Sequence, residues 1–154
     1  MKKREKGFGG LQALLVASII GVAALLVIPK HQAVTNKAKI TEAINLASES
    51  KRRIARNYMV SGSFPRTAQE SKAMFTGTSS QPEHVRDMKI EHNRFGDSVT
   101  IKVFLNDDVV EGDPGEDQYV YISGFRTQGG EYEIEWQCGG IGIGPEMLPE
   151  DCQG

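Results

Sequence analysis

The side chains able to do chemistry are few and far apart. Cys138 and Cys152 enclose thirteen residues near the end of the chain. Two thiols in a chain with an export-type segment point to a disulfide made in an oxidising compartment such as the periplasm. Closing a loop of that size contributes about 3 kcal/mol in the chain-entropy picture. His31, His84 and His92 are scattered without ligand spacing, so they do not read as a metal site. Asp107, Asp108, Asp113, Glu116 and Asp117 crowd one acidic connection but lack the residue order of a calcium loop. The run Gly139-Gly140-Ile141-Gly142-Ile143-Gly144 lacks the Lys-Ser/Thr pair and following helix of a phosphate loop. A turn needing positive φ inside a disulfide-bounded loop accounts for its glycines. Lys51, Arg52, Arg53 and Arg56 have no aromatic platform between them. They read as a solvated helix face or as contacts to acidic surface on a neighbour, with nucleic acid a remote alternative. No nucleophile–base pair is present, so the expectation is a protein that is not an enzyme and needs no cofactor.

The elements that must position these groups start with residues 8–28, a run of 21 residues without a formal charge. As a helix it reaches roughly 30 Å, the thickness of a bilayer's hydrocarbon core. Lys2, Lys3, Arg4 and Lys6 precede it against a single Glu5, which puts residues 1–7 on the cytoplasmic side. A plain single-pass anchor is one reading. A secretory signal peptide fits less well, because the apolar region is long and Ile28-Pro29-Lys30-His31 follows it.

A charged leader ending in Gly7, then Phe8, then about twenty apolar residues resembles the class III leader of type IV prepilins and related pseudopilins. The resemblance implies cleavage after Gly7 by prepilin peptidase, methylation of the new N-terminal Phe8 by the same enzyme, and later handling by inner-membrane pilus assembly machinery. Gly21 and Pro29 fall where that family commonly carries Gly and Pro. The family usually has a Glu five residues into the mature chain, which pairs with the N-terminal ammonium of a neighbouring subunit during assembly. This chain has Gln12 there. Gln12 can hydrogen-bond but cannot neutralise a charge, and a carboxylate in hydrocarbon costs roughly 2.5–3.5 kcal/mol on insertion scales and so is kept for function. Gly9 and Gly10 also weaken the first helical turn by up to about 1 kcal/mol each relative to Ala.

The net charge is −2, and removing residues 1–7 with their four positive charges and one negative brings it to −5. That balance argues against a polyanion as a bulk partner. After Pro29 the pattern becomes amphipathic: Ile40, Ile44, Ala47, Ile54 and Tyr58 recur at helical spacing. The spacing predicts one helix over about 8–60, kinked at Pro29 and stopped at Ser61-Gly62. Residues 61–85 read as a connection, with a short helix at 67–75 begun by Thr67. Strand patterns follow at 88–91, 99–105 and 118–123, with a turn at 124–130. In the second, Val99, Ile101, Val103 and Leu105 alternate against Thr100, Lys102 and Phe104, which predicts one buried face with the latter three on the other side. A fourth strand has Tyr132, Ile134 and Trp136 facing inward. The ending Trp136-x-Cys138, a Gly-rich turn, then Leu148-Pro149-x-x-Cys152 is similar to the C-terminal disulfide loop of type IV major pilins.

Together these features predict an α+β pilin fold, a long helix packed on a four-stranded antiparallel sheet. Residues 1–7 form the leader, 8–29 the transmembrane or filament-core half of the helix, and 30–154 the head. The resemblance implies a structural subunit of a type IV pilus, serving adhesion, twitching motility or DNA uptake. Its partners would be other pilin subunits, and Gln12 and Pro29 would be assembly residues. The protein would sit in the inner membrane before assembly and then in the extracellular fimbrium. A minor pilin, a type II secretion pseudopilin and a non-polymerising, membrane-tethered periplasmic binding domain are the alternatives.

Overall fold

The computed structural model describes the backbone of residues 10–75, 81–110, 117–127, 129 and 133–153, and side chains from residue 34 onward within those ranges. Helix α1 runs Gly10–Ser61. The chain divides into two compact units, residues 1–35 and 36–154. In the first unit, helical backbone begins at Gly10 and continues through Pro29, so the proline does not end the helix. Gly7 and Phe8 lie outside the described residues, as do the side chains of Gln12 and Pro29. Among the described residues no helix is long and apolar enough to cross a membrane.

In the second unit, α1 places Ile40, Ala43, Ile44, Ala47, Ile54 and Tyr58 on one buried stripe. Ser50 interrupts the stripe and is wholly buried. The helix stops because Gly62 turns left-handed, at φ 70°, and its N–H bonds the Tyr58 carbonyl at 2.8 Å. Phe64 then folds back, its ring 4.7 Å from that of Tyr58. Helix α2, Ala68–Phe75, starts with a reciprocal cap. The Thr67 hydroxyl accepts from the Glu70 N–H, and the Glu70 carboxylate accepts from the Arg66 and Thr67 N–H groups.

Strands β1 (Val85–His92), β2 (Ser98–Leu105), β3 (Tyr119–Arg126) and β4 (Ile134–Ile141) form an antiparallel meander in the order 1-2-3-4. The pairings Ile90↔Ile101, Ile101↔Ile122 and Ile122↔Cys138 align one face of the sheet. On that face Val99, Ile101, Val103, Val120 and Ile122 join the α1 stripe in a single core. Ile134 and Trp136 pack against this core while Glu133 and Glu135 are exposed; Tyr132 lies outside the described residues.

Three expectations need correction. The predicted turn at 124–130 begins later, because β3 continues to Arg126 and Gly124 lies within it. The glycines at 139 and 140 are strand residues rather than turn residues, and within the loop only Gly142 has positive φ, 67°. Gly139 is opposite Tyr121, where a Cβ would come within 2.7 Å of the phenol oxygen. Close approach, not backbone handedness, therefore accounts for it. Phe104, expected on the solvated side of β2, is buried on the outer sheet face. Tyr119 covers it at 5.1 Å between ring centres and the Lys89 ammonium lies 4.9 Å above it.

Candidate functional site

The carboxyl-terminal loop is the part of the described chain where covalent chemistry has been done. Cys138 on β4 is bonded to Cys152, with 4.8 Å between the Cα atoms. Cys152 is buried and sits on a 3-10 turn, Glu150–Cys152. A second 3-10 turn, Pro145–Met147, begins the return. Local bonds hold both turns: Leu148 N–H to Pro145 O at 3.1 Å and Cys152 N–H to Pro149 O at 2.9 Å. The Gln153 amide donates to Leu148 O at 3.0 Å. Ile143 and Leu148 are buried beside Gly140, which has no Cβ to displace them. The Lys37 ammonium donates to Glu146 O at 3.1 Å and so ties α1 to the loop. Beside the disulfide, Tyr121, Gly139, Pro145, Leu148 and Gln153 line a shallow cleft of about 210 Å³.

The other candidate residues are dispersed by the fold. His84 is buried, with its Nε2 3.7 Å from a Glu42 carboxylate oxygen, while His92 is exposed on β1. Among the described residues no three His, Cys, Asp or Glu side chains are grouped so as to hold a metal ion. Asp108 pairs with Lys39 at 3.3 Å, and Asp107 and Asp117 both pair with Arg86, at 3.5 and 2.7 Å. Asp113 and Glu116 lie outside the described residues. Arg52 and Arg56 are exposed, whereas the Lys51 ammonium is 5.2 Å from the centre of the Trp136 ring and so fastens α1 to β4. The basic cluster is therefore partly committed to the fold.

Sequence reasoning missed the outer sheet face. Lys102 lies 2.6 Å from Glu91 and 5.2 Å from the Tyr119 ring. Its pKa is raised above the ordinary lysine value, first by the hydrogen bond to Glu91 and further by that carboxylate's charge, against a lowering by burial. The signal available in the sequence was the lone Phe104 among the polar positions of β2.

Comparison with known proteins places this fold. A family model for pilins, proteins of bacterial filaments, matches residues 36–153. A type IV major pilin protein PilE of Neisseria gonorrhoeae is 28% identical over 92 residues, which cover 60% of this chain and 54% of that protein. A type IV major pilin protein PilE1 of the same organism is 24% identical over 139 residues, 90% of this chain and 78% of that one. The fimbrial protein EcpC of Eikenella corrodens is 31% identical over 65 residues, 42% of each. The PilE1 match apart, the chain spans about half the length of the curated relatives it matches.

Proposed function

The chain belongs to the pilin family, and from that premise we propose that it is a structural subunit of a type IV pilus filament. The observation that carries the reading is the Cys138–Cys152 loop closing on the edge strand of a helix-backed meander. It is a surface element stapled in place by a covalent bond. In this reading residues 8–28 hold the precursor in the inner membrane. Prepilin peptidase cuts after Gly7 and methylates Phe8. The apolar helices then leave the bilayer to form the filament core, and the heads face outward as a fimbrium. Gln12 favours an accessory position in the filament, because it supplies no carboxylate for a neighbour's N-terminal ammonium.

Intact mass and N-terminal sequencing of two fractions, membranes and material sheared from cells, test this. The expected sheared species begins at methylated Phe8, and Gly7→Val abolishes it. A protein found only in membranes with residues 1–7 attached would replace the filament by a tethered domain. Comparing filament yield with Gln12→Glu separates the two positions: a large increase marks an accessory subunit.

A further inference from the structure

The fold divides the basic cluster of α1. The Lys51 ammonium is turned to the Trp136 ring, and Arg53 is engaged within the chain. Arg52 and Arg56 are exposed, and neither has an ion pair among the described residues. They stand one helical turn apart, so both project from the same side, roughly 6 Å from each other along the axis. Met59 and Val60 continue that side, 66% and 86% exposed. The buried stripe that ends at Ile54 and Tyr58 lies on the other side of the helix.

The outer face of β4 carries the opposite charge. Ile134 and Trp136 turn to the core, so strand alternation puts Glu133 and Glu135 on the outer face, about 7 Å apart. The Thr127 N–H donates to Glu133 O, which carries the ladder as far as that residue. Both carboxylates are exposed and have no ion pair among the described residues. Phe125, 41% exposed, is paired with Glu135 and adds apolar surface beside them. Arg126 is paired with Ile134 and so belongs to the inner side of the sheet.

We propose that the Arg52–Arg56–Met59 side of α1 docks on the outer face of β4, at Glu133 and Glu135, in a second copy of this chain. Each patch has two like charges at nearly the same spacing, with apolar side chains next to them. Because α1 covers the inner face of the sheet, the two patches lie on opposite sides of one head and cannot meet within it. The contact joins two different surfaces, so it does not close on a dimer and leaves a free patch at each end of an open array. The acidic balance of the chain favours this occupant over a polyanion such as nucleic acid. The proposal deepens the filament reading and rests on it, since it says how neighbouring heads register.

The test uses the full chain in cells. Arg52→Glu with Arg56→Glu should lower sheared polymer ten-fold or more while leaving the Cys138–Cys152 disulfide and the total protein unchanged. Adding Glu133→Arg and Glu135→Arg to that chain should restore polymer, because each reversed helix then meets a reversed strand. A control makes the same change of net charge at the tip of the β1–β2 hairpin, where Arg66 and Arg94 line an open cleft of about 320 Å³. Arg66→Glu with Arg94→Glu should leave polymer at the wild-type amount. Wild-type yield from the α1 variant overturns the proposal, and so does an equal loss from the hairpin control. Loss without restoration assigns the α1 face to a different partner and overturns it too. If the wild-type chain gives no sheared polymer, the filament reading itself fails. The contact is then decided by Arg56→Cys with Glu135→Cys in one chain under mild oxidation. A ladder of multimers in membranes supports the docking surface, and its absence overturns it.

Discussion

The indole of Trp136 occupies the space that a side chain at Gly124 would need. The two residues are paired across β3 and β4, and a Cβ on Gly124 would come within 2.7 Å of the ring. The Lys51 ammonium of α1 lies 5.2 Å from the centre of the same ring. A helix, an aromatic ring and a bare strand backbone are thus layered where the fourth strand joins the core.

Gly124→Ala should therefore destabilise the head by about 1–3 kcal/mol, the cost of overpacking a filled site. Urea unfolding followed by far-ultraviolet circular dichroism measures it in this variant and in the rescue below. Adding Trp136→Leu should recover part of the loss, because the smaller side chain leaves room for the methyl group. A neutral Gly124→Ala would mean that the ring moves aside freely.

Much of this head was legible in the sequence, and the gaps have physical causes. The α1 stripe, the Gly62 stop, the Thr67 start and the four strands follow from local periodicity and capping chemistry, which neighbouring residues specify by themselves. Ser50 did not stand out, because a hydroxyl at a core position looks like a surface residue until the helix is docked. Gly124, Gly139 and Gly140 read as turn glycines because their partners Trp136, Tyr121 and Leu148 are brought beside them only by strand pairing and loop return. Phe104 belongs to the same class, since its cover of Tyr119 and Lys89 comes from both neighbouring strands. The charged hairpin tip was invisible for another reason: Arg66 and Arg94 lie far apart in the chain and meet only through the fold.

Reducing the disulfide should cost about 2–4 kcal/mol. Cys138→Ser with Cys152→Ser gives the same loss without reductant, as a lower urea midpoint. The meander should persist in the variant, because the bridge fastens only the last strand. Far-ultraviolet circular dichroism checks this, and loss of sheet signal would show that the loop is needed for the strands to pair at all.

Lys102 supplies a pH dependence whose sign is fixed. Its pKa is raised in the folded state, mainly through the hydrogen bond to Glu91. The stabilisation is fully present below the ordinary lysine value of 10.5 and is lost as pH rises through the raised value. Glu91→Gln removes the charge partner, so the variant should lose less stability than the wild type across that alkaline range. Thermal melts at neutral and strongly alkaline pH compare the two. Parallel curves would mean that the ion pair is too screened to matter.

The strand order 1-2-3-4 also has a consequence for biogenesis. Every strand pairs with one made immediately before or after it, so a head emerging N-terminus first never waits for a distant partner. Such sequence-local pairing favours rapid folding. Cys138 lies on β4, and Cys152 is brought back to it through the 3-10 turns Pro145–Met147 and Glu150–Cys152. The bridge is thus a covalent record that the chain after β4 has folded back onto that strand.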